Sequence, residues 1–402
     1  MNKVLLIILD GWGEGKKDYS NPIYLAKEKD FFEFIREHFP FYLLQASGIA
    51  VGLPWKEAGN SEVGHLCMGT GKVYYQNYPR ITLSIKNGQF FENEVLISCL
   101  NHANKYKSRV HLIGLLTSGI VHASYEHLIA LLEFFKKNNF KNVYLHLFLD
   151  GRDSPPQSGL DLLLKLEKDI ERIGVGKIAT LCGRTYGMDK NEYWKIKTQV
   201  AFYLITEGVG KEVSDYKEYI KKIYESNINF IDENLEPLVI DKEGIVKDND
   251  AIFFFNFRAD SMYQLAKAFL EIEFPYFQRT SKNNLFIASM TKYLEEIDYP
   301  VAFPPIKIKT SISKIIAENK LLQLKISEKY KAYHLTYFFN GFINEPHPGE
   351  YWKIIPSSEK NFRENPMLQS KLITEFILNA IKEGSYSFIA ANYSAPDIIG
   401  HT

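Results

Sequence analysis

Val4-Leu5-Leu6-Ile7-Ile8-Leu9-Asp10-Gly11-Trp12-Gly13 is six apolar residues that stop on a carboxylate and a glycine. A run of that length predicts a buried strand with Asp10 at its carboxyl end. Ligands of open α/β sheets bind just beyond such ends. Working outward, further apolar runs at 143–149, 178–182, 252–257, 285–288 and 386–392 read as strands. Stretches of helical period at 124–137, 160–173, 216–226 and 368–382 lie between them. Strands alternating with helices predict an α/β protein with mostly parallel sheets.

The 402 residues exceed the roughly 250–300 at which a single core stops growing, so two domains are expected. Tyr74–Arg80 and the proline-rich 298–305 segment, with Pro300, Pro304 and Pro305, read as hinges. Two crossings between the same bodies would make the middle segment an inserted domain. Lys+Arg and Asp+Glu balance at 48 each, which argues against a general nucleic-acid binder and leaves room for a local anion pocket. Three cysteines without CxxC spacing suggest neither a disulfide framework nor a zinc ribbon. Met1-Asn2-Lys3 and the first apolar run superficially resemble a signal peptide, but the run is short and lacks a small-residue cleavage site. No run approaches the ~18 apolar residues of a membrane span. A cytoplasmic protein with no membrane partner is expected.

Taken singly, the polar motifs are ambiguous. Asp10 suits a hard metal ion or simply starts a turn. Gly13-Glu14-Gly15-Lys16-Lys17 lacks the spacing and the Ser/Thr of a P-loop. Ser61, in Gly59-Asn60-Ser61-Glu62-Val63-Gly64-His65, is either an exposed nucleophile needing activation or a helix cap. Asp397 and His401, four apart, would share one face of a helical turn opened by Pro396 and could hold one metal ion. The arginines are more telling. Strand 143–149 ends in Asp150-Gly151-Arg152-Asp153, 178–182 in Gly183-Arg184, and 252–257 in Arg258. Guanidinium groups at three strand ends predict a cleft for phosphate or carboxylate. His122 and Lys329 are candidates to join them.

Leu9–Gly13, the GNSEVGH run, Leu149–Asp153, Phe338-Phe339-Asn340-Gly341, Glu345-Pro346-His347-Pro348-Gly349-Glu350 and 392–402 together are similar to cofactor-independent phosphoglycerate mutases of the alkaline phosphatase superfamily. The resemblance covers the whole chain, in family order. It implies a discontinuous phosphatase-like domain, residues 1–76 and 310–402, with a phosphotransferase domain, 77–309, inserted. It implies that Ser61 takes the phosphoryl group of 3-phosphoglycerate and returns it to the other hydroxyl, without 2,3-bisphosphoglycerate. Two divalent cations, usually manganese, are implied: Asp10 and Ser61 match ligands of one, Asp397 and His401 of the other. His122, Arg152, Asp153, Arg184, Lys190, Arg258 and Lys329 fall at substrate positions, with Asp153 exchanging protons with the glycerate hydroxyls. A monomer acting on a small molecule is the expected form.

Departures from the family pattern qualify this. The family's further metal-binding Asp-His pair and a later His do not occur before Thr402, so a truncated chain is expected, with an exposed sheet edge and weak metal sites. Lys190 and Ser261 stand where the pattern has arginines, and Ser118 where it has an acidic residue. Lysine keeps the charge but loses the planar fork, and serine loses both. The competing expectations are a non-catalytic remnant that binds phosphorylated acids or a protein, and a related phosphatase or phosphopentomutase.

Overall fold

The computed structural model describes residues 3–26, 30–357, 362 and 364–402. Met1 and Asn2, part of the signal-like opening, lie outside them. Among the described residues twelve strands follow in chain order. They are β1 (Val4–Leu9), β2 (Val110–Leu116), β3 (Val143–Leu149), β4 (Lys177–Gly183), β5 (Lys211–Glu212), β6 (Leu238–Val239), β7 (Ala251–Phe254), β8 (Phe286–Thr291), β9 (Val301–Phe303), β10 (Gln323–Glu328), β11 (Glu350–Ile355) and β12 (Phe388–Tyr393). The chain divides into two compact units, one of residues 1–76 and 306–402, the other of residues 77–305.

The first unit holds a parallel four-stranded sheet in the order β1-β12-β10-β11. Register pairs Leu9 with Tyr393 and Ser327 with Asn392. Asp10, Asn392 and Glu328 therefore come to the same carboxyl edge. Alternation divides the apolar side chains between two faces. On one, Ile326, Ile389 and Ala391 pack with Ile373 and Ile377 of the helix Ser370–Glu383. On the other, Ile8, Phe388 and Ala390 pack with Leu335 and Phe339. β1 lies at the sheet edge, and its Val4 and Ile7 are half exposed without a charged residue to guard the strand.

The second unit holds an eight-stranded sheet, β5-β6-β4-β3-β2-β7-β8-β9, parallel except where β6 meets β4. β2 and β3 are buried at every residue, as central parallel strands covered on both faces must be. Helices Tyr125–Lys137 and Gly159–Ile173 supply much of that cover through Leu131, Phe135, Leu163 and Leu166.

Where structure and sequence reading differ, a buried polar residue is usually the reason. β2 escaped notice because His111 and Gly114 interrupt its apolar run; His111 is buried against Asp250, with Nε2 3.0 Å from Oδ2. β10, Gln-Leu-Lys-Ile-Ser-Glu, looks like a surface segment yet is buried throughout. The chain passes between the two units at 76/77 and 305/306, at the two segments read as hinges, although helix Asn77–Lys86 begins within the first. β9 likewise forms within the 298–305 segment.

Candidate active site

The helix Ser61–Thr70 begins at the serine. Asn60 is its cap, with the side-chain carbonyl accepting from the Val63 N–H at 3.0 Å. Capping by Asn60 frees the Ser61 hydroxyl. That hydroxyl donates to Asp10 Oδ1 at 2.7 Å and accepts from Lys331 Nζ at 2.7 Å. The ammonium also lies 2.6 Å from Asp397 Oδ2 and 3.4 Å from Asp10 Oδ1. One cation thus faces three oxygens at the N-terminus of a helix whose dipole favours added negative charge.

Asn392, at the end of β12, ties the cluster together. Its Nδ2 donates to Asp10 Oδ2 and to His65 Nε2, each at 2.9 Å. His65 Nε2 therefore accepts, and Nδ1–H donates to the Ser61 carbonyl at 2.7 Å. Burial pushes the His65 imidazole down to about 4, so it is neutral near pH 7. Burial alone would raise the Asp10 carboxyl. Hydrogen bonds from Asn392 and Ser61 and the charge of Lys331 together hold it below its ordinary value. Gly11 is required beside it: its φ is +77°, and a Cβ there would sit 2.5 Å from the Asp397 Cα.

Asp397 and His401 do share a short helical turn, Ala395–Gly400 and its cap. His401 Nε2 is 3.6 Å from Asp397 Oδ1, but the imidazole is 79% exposed. As a metal site the donor set is incomplete. Asp10, Ser61 and Asp397 gather about an ammonium, and among the described residues no three His, Cys, Asp or Glu side chains are placed to hold an ion together.

The resemblance places Lys329, as it does Lys190, at a substrate position. Lys329 is exposed, and the ammonium that meets Ser61 belongs to Lys331. Both lie on the helix Lys329–Tyr333, and two residues on a helix are ~200° apart, so only one of them can face the serine. Asn392, His65 and Lys331 were not assigned roles. His65 and Asn392 stood within quoted motifs, whereas Lys331 had no local signal.

The second unit carries a separate cavity of about 260 Å³, lined by His122, Arg152, Asp153, Arg184, Lys190 and Arg258 together with Ser261, Lys197, Asp189 and Glu233. Six of the expected substrate residues therefore line one space, at the carboxyl ends of β2, β3, β4 and β7. Asp150 organises the loop after β3. Its carboxylate accepts from Thr117 Oγ1 at 2.6 Å, Ser154 Oγ at 3.0 Å and the N–H groups of Arg152 and Asp153 at 3.2 Å. Arg184 Nη1 bridges Asp150 Oδ1 at 2.6 Å and Asp153 Oδ2 at 2.9 Å. Burial would weaken its charge, but these two carboxylates raise the guanidinium above its ordinary value. Asp260 Oδ2 gathers Arg258 Nη2 at 3.1 Å and Lys190 Nζ at 3.3 Å, while Arg152, 64% exposed, pairs with Glu233. Ser118, where the resemblance has an acid, donates its backbone N–H to Ser154 Oγ at 2.8 Å.

Comparison with known proteins bears on both clusters. A sequence model of the BPG-independent PGAM N-terminus family matches residues 81–295. The 2,3-bisphosphoglycerate-independent phosphoglycerate mutase of Clostridium beijerinckii is 40% identical over 407 residues, which is 99% of this chain and 78% of that protein. The enzyme of the same name from Moorella thermoacetica is 38% identical, again over 99% and 78%. Among solved structures, Leishmania mexicana phosphoglycerate mutase at low cobalt concentration aligns with a TM-score of 0.59 at 29% identity, covering 100% of this chain and 76% of that one. With a family match over more than half its length and such relatives along nearly all of it, the chain belongs to the 2,3-bisphosphoglycerate-independent phosphoglycerate mutases.

Proposed function

We propose that the chain is an isomerase that interconverts 3-phosphoglycerate and 2-phosphoglycerate in glycolysis, through a phosphoserine at Ser61, and that it works as a cytoplasmic monomer. The observation that carries this reading is the Ser61 hydroxyl held between Asp10 Oδ1 and Lys331 Nζ, each 2.7 Å away, at the start of a ten-residue helix. A serine hydroxyl is a poor nucleophile until charge on its oxygen is stabilised. The ammonium and the helix N-terminus supply that stabilisation, and Asp10 orients the leaving proton.

In this reading Oγ–P forms as the bond from phosphorus to the substrate's ester oxygen breaks. The proton lost from Ser61 and the one gained by the glycerate oxygen balance. The glycerate then reorients, and the same phosphoryl group passes to the neighbouring hydroxyl as Oγ–P breaks. No added 2,3-bisphosphoglycerate is consumed, because the substrate's own phosphate is carried. Arg184, Arg258, Arg152 and Lys190 supply charge to match phosphate and carboxylate, and Asp153 exchanges protons with the glycerate hydroxyls. The divalent cations implied by the resemblance, manganese foremost, enter no step of this account.

The test is conversion of 3-phosphoglycerate in an assay coupled through 2-phosphoglycerate, run with and without manganese and with no 2,3-bisphosphoglycerate. Ser61→Ala is expected to lower kcat at least ~10³-fold, the scale of losing a nucleophile. Activity that survives this substitution would sink the phosphoserine reading.

A further inference from the structure

Ser261 is a buried hydroxyl, 3% exposed, for which the reaction above has no use. It lies between two groups of the anion cavity. Its Oγ is 2.8 Å from His122 Nδ1 and 3.2 Å from Asp260 Oδ1, and its backbone N–H donates to the same Asp260 oxygen at 2.9 Å. A serine hydroxyl has one proton to give. Donated to Asp260, it would leave His122 protonated at Nδ1, and the bare Nε2 lone pair would face the cavity. Donated to His122, it leaves the proton on Nε2.

Three observations decide between these. The contact to Nδ1 is the shorter one. Asp260 Oδ1 already accepts the Ser261 N–H, and Oδ2 is taken by Arg258 and Lys190. Nε2 lies 3.9 Å from Asp153 Oδ2, an acceptor, in a cavity where Arg152, Arg184, Lys190, Lys197 and Arg258 outnumber the carboxylates Asp153, Asp189 and Glu233, so that a donor there serves an anion and a lone pair repels it. The His122 backbone is fixed as well, since its carbonyl accepts from the Phe257 N–H at 2.8 Å.

We infer that Ser261 is a positioning residue: its hydroxyl donates to His122 Nδ1 and fixes the tautomer that presents Nε2–H to an anion in the cavity. His122 then binds as a neutral donor beside the arginines, adding direction without charge. The identity of the anion, a phosphorylated three-carbon acid, rests on the function proposed above; the tautomer does not.

The test is long-range ¹H–¹⁵N correlation NMR of the histidine-labelled chain near pH 7.5, with His122 assigned by His122→Asn. Wild type and Ser261→Thr should show a protonated Nε2 and a bare Nδ1, and Ser261→Ala a mixture of tautomers. Calorimetric titration with 3-phosphoglycerate should show an affinity about fivefold weaker for Ser261→Ala, the worth of one neutral hydrogen bond, with recovery in Ser261→Thr. A wild-type ring protonated at Nδ1 overturns the inference, as does Ser261→Ala with unchanged tautomer and affinity. A wild-type chain with the expected tautomer and no affinity for 3-phosphoglycerate overturns the assigned anion and leaves the tautomer standing.

Discussion

Lys329 and Lys331 stand two positions apart in Ser327-Glu328-Lys329-Tyr330-Lys331, and only Lys331 reaches Ser61. Replacing Lys331 with Ala should lower kcat by about 10²–10³, the usual loss when one donor to a developing oxyanion is removed. Lys329→Ala should leave kcat within about twofold, because an exposed lysine away from such features seldom matters. Equal losses in the coupled assay would show that the ammonium beside Ser61 has no special part. The same pair marks the limit of legibility at this scale. Residues such as Arg152, Asp153 and Arg184 could be read because each follows its strand directly. Lys331 could not, because the turn that aims it begins only after β10, a strand whose polar sequence hid it.

At the scale of elements, the Phe338–Gly341 and Glu345–Glu350 motifs prove to hold the Ser61 helix in place. Lys325 of β10 and Glu350 of β11 form a fully buried ion pair, 2.8 Å apart with neither side chain exposed. Glu350 also accepts from Trp352 Nε1 at 2.6 Å, the His347 N–H at 2.9 Å and Asn340 Nδ2 at 3.1 Å, while Lys325 donates to Asn340 Oδ1. Burial lowers the Lys325 ammonium to about 8 against the opposing pull of Glu350. This network pins the Phe339–Asn340 backbone, on which the Ser61–Thr70 helix rests at Gly69. A Cβ at Gly69 would lie 2.0 Å from the Phe339 carbonyl oxygen. Lys325→Met strands a buried carboxylate and should cost about 3–5 kcal/mol in urea unfolding, whereas Lys325→Met with Glu350→Gln should recover part of that. A single substitution costing under ~1 kcal/mol would contradict the role given to the pair. These residues also explain why β10 and β11 went unread. Lys325 and Glu350 are buried against one another from different strands, a pairing of which period and hydropathy carry no trace.

For the whole molecule, the alternation of apolar runs and amphipathic stretches was enough to indicate α/β architecture, and β1 and β3 were read to the residue. Strand order was not available from periodicity. β12, close to the last residue, pairs with β1, close to the first, and that long-range pairing is what brings Asn392 and Asp397 to Asp10. The central claim of the proposed chemistry is that phosphate passes through Ser61. The most direct measurement is rapid acid quench of the chain during turnover of 3-phosphoglycerate, followed by peptide mass spectrometry across residues 59–72. The account predicts a phosphate on Ser61 that is absent before substrate is added. Turnover with Ser61 unmodified at every quench time, or with the phosphate on another side chain, would contradict it.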